Sequence, residues 1–323
     1  MAEQKDWAFP VEMRPKPEEW RFDLDHALDA VVLVRAEIPE DAFTAPILGT
    51  ERAGNGVLIA ENLVLTIGYL ITEASVIWLA TNKGVAVGGF PLAYDQASGF
   101  GLIQPLGKLG VRPIERGSAA SIRVGENVVI AGHGGRAHAL KATVFARREF
   151  GGYWEYVLDE ALFTAPAHPQ WGGSALIGAD GKLAGIGSLL VQEKIDAGTL
   201  QGNMVVPIDL LEPILEDMVK TGRSARTPRP WLGMYTTDAG ERLLVAGLAP
   251  GGPAERAGVK VGDAVIELAG EKPSSLADLW RRVWRLGAPG AVVPLKISRS
   301  GKSSEIRIQS ADRSDFLKKP HLH

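Results

Sequence analysis

Residues 54–60, Gly54-Asn55-Gly56-Val57-Leu58-Ile59-Ala60, and residues 63–66, Leu63-Val64-Leu65-Thr66, are two short apolar runs divided by the polar pair Glu61-Asn62. Runs this short, rich in β-branched residues and bounded by turn formers, predict strands rather than helices. The strand core Gly56–Ala60 has counterparts at Val76–Leu79, Asn127–Ala131, Tyr156–Leu158 and Leu183–Ile186. The 38 Gly and 20 Pro are scattered between such runs instead of gathered in one stretch, the punctuation of an all-β barrel or sandwich. One segment departs from the pattern. In Pro207–Thr221 the side chains of Leu210, Leu211, Ile214, Leu215 and Met218 recur at helical spacing, and Gly222 supplies a stop, so a helix is predicted there.

With 323 residues, 46% of them hydrophobic, the chain has material for two domains, each with its own core. The 35 basic and 38 acidic residues leave a formal charge of −3, so no global field draws it to nucleic acid or to an anionic membrane. The absence of cysteine excludes disulfides, thiolate nucleophiles, iron–sulfur clusters and cysteine zinc sites. The first 25 residues carry acids, prolines and tryptophans where a secretory signal needs an unbroken apolar stretch. A cytoplasmic location is therefore expected, or a periplasmic one if an export signal was trimmed. The longest apolar stretch, near Ala30–Val34, is far short of a membrane-spanning helix, and no membrane insertion is expected.

After the helix, Arg223–Pro230 is basic and proline-containing with nothing to bury, and reads as a linker. Strands are predicted at Leu243–Leu248, Ala264–Leu268, Val292–Ser298 and Glu305–Gln309, interrupted by a helix at Ser275–Leu286. One face of that helix carries Leu276, Leu279, Val283 and Leu286; Trp280 and Trp284 form a second stripe and are expected in the core or half-buried. The organisation is then an N-terminal extension (1–24), a first domain (25–222), a linker (223–230), a second domain (231–312) and a tail (313–323).

Together these halves resemble the HtrA/Deg family, a trypsin-like protease domain followed by a PDZ domain. Gly54–Ala60 with Leu63–Thr66 resembles the family's strand leading into its histidine turn. Gly125–Gly132 and Gly173–Ile186 resemble the strand before its Gly-Asn-Pro loop and the stretch after its nucleophile, and Asn203–Gly222 its closing strand and helix. Pro250–Asp263 (PGGPAERAGVKVGD) resembles the PDZ signature Pro-Ala-x-x-Ala-Gly-x-x-x-Gly-Asp. The resemblance implies an all-β-dominated fold: two six-stranded antiparallel barrels, then a PDZ domain, a small β-barrel with helices.

The family's chemistry uses a serine, a histidine and an aspartate. At the positions matching its motifs this chain has Tyr69 for the histidine, Gly99 for the aspartate and Gly172 for the serine. A register one residue different gives Trp171, and two gives Ser174. A phenol, with an ordinary pKa of about 10, is a poor base at neutral pH. The expectation is a catalytically inactive pseudoprotease, not an enzyme, serving as a protein-binding adaptor, scaffold or regulatory subunit. An alternative is an enzyme or metal-binding protein using the loop histidines His133, His138 and His168, with Arg136 near them, or a cryptic serine protease using Ser174. The competing reading of these histidines is solvated loop residues, and no cofactor is assigned.

The PDZ resemblance implies a peptide-binding loop at Trp231, Leu232, Gly233 and Met234, where backbone N–H groups hold a C-terminal carboxylate and Leu232 and Met234 floor an apolar pocket. The groove is open, filled by Trp280 or Trp284, or docked onto the first domain. The expected partner is a protein C-terminus, with an active homologue or enzyme complex as a further partner. The family also forms homotrimers through N-terminal aromatics; Trp7, Phe9, Trp20 and Phe22 fit that role or pack back on their own barrel.

Overall fold

The computed structural model describes residues 7–196, 198–240 and 242–319. The first six strands are β1 (Val31–Glu37), β2 (Glu51–Ala60), β3 (Leu63–Ile67), β4 (Val76–Ala80), β5 (Ala86–Tyr94) and β6 (Phe100–Pro105). They close into an antiparallel barrel in the order β1-β2-β3-β6-β5-β4. The next six, β7 (Asn127–Ala131), β8 (Ala139–Gly152), β9 (Tyr156–Ala165), β10 (Ala175–Ile177), β11 (Leu183–Ile195) and β12 (Gly198–Pro207), close in the order β10-β11-β12-β9-β8-β7. Closure removes exposed strand edges, and alternating residues fill each interior. In β1, Val32, Val34 and Ala36 are buried while Arg35 and Glu37 are exposed.

The helix predicted from Pro207 begins later, at Glu212, after the short 3₁₀ turn Ile208–Leu210. Pro213 explains the shift, because a ring without an N–H is tolerated only in a helix's first turn. The helix ends where expected, Gly222 donating its N–H to the Met218 carbonyl at 3.0 Å.

The remaining strands, β13 (Met234–Asp238), β14 (Leu243–Leu248), β15 (Ala264–Leu268), β16 (Val292–Arg299) and β17 (Lys302–Gln309), form one antiparallel sheet in chain order. Helix Leu276–Arg285 packs Leu279, Trp280 and Val283 into a core with Leu232, Met234, Val245, Leu295 and Ile308. The Ser275 side chain caps it by accepting from the Asp278 N–H at 3.1 Å. Trp280 is fully buried and Trp284 half-buried beneath the Arg229 guanidinium. Leu286, which shares the face of Leu279 and Val283 in the sequence pattern, follows the last helical residue and is exposed.

The chain divides into two compact units, but not at a single boundary. One holds the residues up to Arg148, Glu160–Ala225 and the segment from Lys318; the other holds Arg226–Leu317 and the excursion Glu149–Asp159. The tip of the β8–β9 hairpin thus belongs with the PDZ-like sheet. The presumed tail is partly structured: the turn Arg313–Phe316 sets Phe316 against Trp231, ring centroids 4.8 Å apart. The N-terminal aromatics pack on their own unit. Phe9 is buried in the second barrel's core with Trp7 against it, and the Phe22 ring lies over Gly181. Among the described residues no helix is long and apolar enough to cross a membrane.

Candidate functional site

The loop Trp231–Met234 is pinned from both sides. The Trp231 N–H donates to the Ala311 carbonyl at 2.9 Å and the Trp231 carbonyl accepts from the Ala311 N–H at 3.0 Å, while the carbonyls of Leu232 and Gly233 accept from the N–H groups of Ala254 and Ala249. Gly233 has φ +71°, the left-handed region, and a Cβ there would crowd Ala249 and the Trp231 ring at 3.0 Å. This turn aims successive N–H groups at one point, a backbone nest suited to an anion. The side chains of Leu232 and Met234 are fully buried in the unit's core, and their N–H groups face the site.

A carboxylate already sits at the focus. Glu155, at the tip of the β8–β9 hairpin, accepts from the Leu232 N–H (3.0 Å to Oε2, 3.2 Å to Oε1) and from the Met234 N–H (3.0 Å to Oε1). On either side the hairpin backbone is held as an added strand would be. The Thr236 N–H on β13 donates to the Tyr153 carbonyl at 2.9 Å, and Trp280 Nε1 on the helix donates to the Gly152 carbonyl at 2.9 Å. Val157 is buried in the same core. Burial pushes the Glu155 carboxyl up to about 7, although the N–H groups of Met234, Leu232 and Gly233 and the Arg313 charge pull it down. Its backbone is left-handed as well, φ +61°. Sequence reasoning took Tyr156–Leu158 as a strand and missed Glu155. The available signal was the density of rings around it, Phe150, Tyr153, Trp154 and Tyr156, flanking Gly151-Gly152.

In the double-barrel unit, Tyr69 and Gly172 do face one another: a Cβ at Gly172 would lie 2.9 Å from the Tyr69 hydroxyl. That hydroxyl is buried, which raises its pKa, and it donates to the Ser188 carbonyl at 2.8 Å. Gly99 lies beside the same turn, its carbonyl accepting from the Gly68 N–H at 2.7 Å. Ser174 Oγ donates to the Trp171 carbonyl at 2.9 Å. Asn55 ties the glycine turn down, its N–H reaching the Gly172 carbonyl at 2.8 Å and its Nδ2 the Gln170 carbonyl at 2.9 Å.

The histidines do not assemble a ligand set. His168 is buried, accepts from the Gln170 N–H at Nδ1 and donates from Nε2 to the His138 carbonyl at 2.9 Å, which fixes a neutral tautomer. Burial lowers its pKa to about 4. Its ring, like that of His138, packs edge-to-face with Trp7. The alternative, solvated loop residues, is no better for His168, which is core. Arg136 bonds Asp25 at 2.6 Å instead of joining the histidines. Among the described residues no group of three or more His, Cys, Asp or Glu is placed to hold a metal ion.

Residues 54–186 match the domain family described as trypsin-like peptidase domain, and residues 230–309 match the PDZ domain. The serine protease PepD of Mycobacterium tuberculosis is 27% identical over 231 residues, covering 66% of this chain and 49% of that protein. The periplasmic pH-dependent serine endoprotease DegQ of Escherichia coli is 25% identical over 314 residues, covering 88% of this chain and 68% of that protein. The chain belongs to the HtrA/Deg family. Among solved structures, the HtrA-type protease AlgW with decapeptide superposes with a TM-score of 0.52 at 18% identity, covering 93% of this chain and all of that one, and shows the shared fold. This HtrA/Deg member spans about half the length of PepD.

Two sequence expectations are corrected by these relatives. The conclusion that the chain is no enzyme, drawn from Tyr69, Gly99 and Gly172, does not stand, because the relatives are named serine proteases and endoproteases and nothing marks this HtrA/Deg member as inactive. The cytoplasmic expectation finds no support either, since several relatives are named periplasmic.

Proposed function

We propose that this HtrA/Deg member recognises polypeptides by their free C-termini, its PDZ loop Leu232–Met234 holding the terminal carboxylate, and so serves as an adaptor or scaffold in a periplasmic setting. The observation that supports this reading is the convergence of the Leu232 and Met234 N–H groups on a carboxylate at 3.0 Å. A chain terminus offers the same two oxygens, and β13 offers the Thr236 N–H to its backbone as one rung of strand addition. Recognition of this kind is a requirement distinct from hydrolysis and applies at any rate of turnover in the trypsin-like unit.

The test is calorimetric titration of the full chain with a peptide ending in a free apolar residue, and with the same peptide amidated. The free acid is expected to bind at least tenfold tighter, about 1.4 kcal/mol. Equal affinity for the two peptides would move recognition away from this loop.

A further inference from the structure

The hairpin tip Glu149–Asp159 meets the PDZ-like unit the way a bound peptide would. It supplies a carboxylate to the loop through Glu155, a carbonyl to the strand β13 through Tyr153 and a carbonyl to the facing helix through Gly152. Gly151 lies so close to the helix that a Cβ would approach the Ala277 nitrogen to 2.9 Å and the Leu276 Cβ to 3.2 Å. The segment therefore lies between β13 and the helix, the place where an added strand docks. Its hold is backbone-specific at the centre, while at the periphery Arg281 pairs with Glu149 and Asp159. Glu155 is 5% exposed, so an incoming carboxylate and the Glu155 carboxylate exclude one another.

We propose that the Glu149–Asp159 hairpin is an internal ligand of the PDZ unit, in which Glu155 takes the place of a C-terminal carboxylate, and that a polypeptide C-terminus binds by displacing it. This rests on the C-terminus reading of the loop given above. The partner that opens the site is thus a chain end with two carboxylate oxygens and a backbone free to pair with β13. Three features suit the hairpin to leaving. Its tip residue is held in the left-handed region without being glycine, a backbone strain that release relieves. Its carboxyl is buried at a cost its donors do not fully offset, since its pKa stands above the ordinary value. The end of β8 that leads into the tip is Gly151-Gly152, two residues with no side chains to pack. A site whose competent form is only a fraction of the population binds ligand with an apparent Kd raised by that fraction.

Titration of the same free-acid and amidated peptides into wild type, Glu155→Gly and Gly151→Ala, all as full chains, tests this. Glu155→Gly removes the internal carboxylate and relaxes the backbone; Gly151→Ala loosens the hairpin without touching the loop, and carries the test if the first variant fails to fold. Both variants are expected to bind the free acid at least tenfold tighter than wild type does. In wild type, saturating free-acid peptide is expected to raise amide hydrogen exchange across residues 149–159. Equal free-acid affinity in all folded proteins, or unchanged exchange across 149–159 on saturation, overturns the internal-ligand proposal while leaving the loop reading intact. If no folded protein distinguishes acid from amide, the loop reading itself falls, and the proposal with it.

Discussion

Two glycine turns in this chain hold their backbone donors in opposite ways. In the double-barrel unit the turn around Gly172 is closed by main chain: Gly173 donates to the Gly187 carbonyl at 2.9 Å and Ser174 to the Trp171 carbonyl at 3.1 Å. In the PDZ-like unit the turn around Gly233 gives the Leu232 and Met234 N–H groups to a side-chain carboxylate. A donor satisfied by neighbouring backbone becomes available only if the turn itself refolds. A donor satisfied by a side chain on a hairpin becomes available when that hairpin moves. Both turns leave few buried donors unmade, as they must, yet only the second leaves its donors exchangeable.

The strongest way to break the comparison is Gly173→Ala. Gly173 has φ +75°, and a Cβ would lie 1.8 Å from the Asn55 backbone oxygen, so the closed turn has no room for it. A loss of at least about 3 kcal/mol in denaturant unfolding is expected; a near-neutral result would mean that this turn is as exchangeable as the other. Next in size is pH. The docked Glu155 carboxyl titrates near 7 rather than at the ordinary 4.5, so docking binds a proton. Its contribution is full below 4.5, falls as pH rises through 7 and is constant above, by at most about 3 kcal/mol. The Arg313 charge faces it, as does the Tyr235 phenol, whose own pKa burial pushes up. Exchange protection of the 149–159 amides, corrected for intrinsic rates, should drop between pH 5 and pH 8, and Glu155→Gln should flatten the curve.

The smallest effect sharpens the first turn. Gly172→Ala places a Cβ 2.9 Å from the Tyr69 hydroxyl but 3.7 Å from the ring carbon behind it. It should cost about 1–2 kcal/mol alone and little in a Tyr69→Phe background. A double-mutant cycle should therefore show a coupling of about 1 kcal/mol; additive losses would separate the two positions.

The barrels were legible because their signal is local. Val57, Leu58, Val64 and Leu65 are all buried, in the two short apolar runs that turn residues bound. The helix at 276–285 was legible for the same reason, through its period and its Ser275 cap. The candidate loop was half legible. Its glycine was found, but nothing local showed that a carboxylate from another part of the chain would meet it. The loop histidines were one alternative site, on the strength of the family's cleft, whereas Trp7 and the backbone around His168 absorb the rings and nitrogens.

Sequence alone determined the short strands of both halves and the helices at 207–221 and 275–286, because strand length, turn chemistry and helical period are written in neighbouring residues; two barrels and a PDZ-like sheet were what the resemblance to the HtrA/Deg family implied. Only the tertiary structure decided what fills the carboxylate loop. Glu155 and Leu232 are 77 residues apart in the chain, and their contact follows from how a hairpin tip packs between a strand and a helix, which no local pattern encodes.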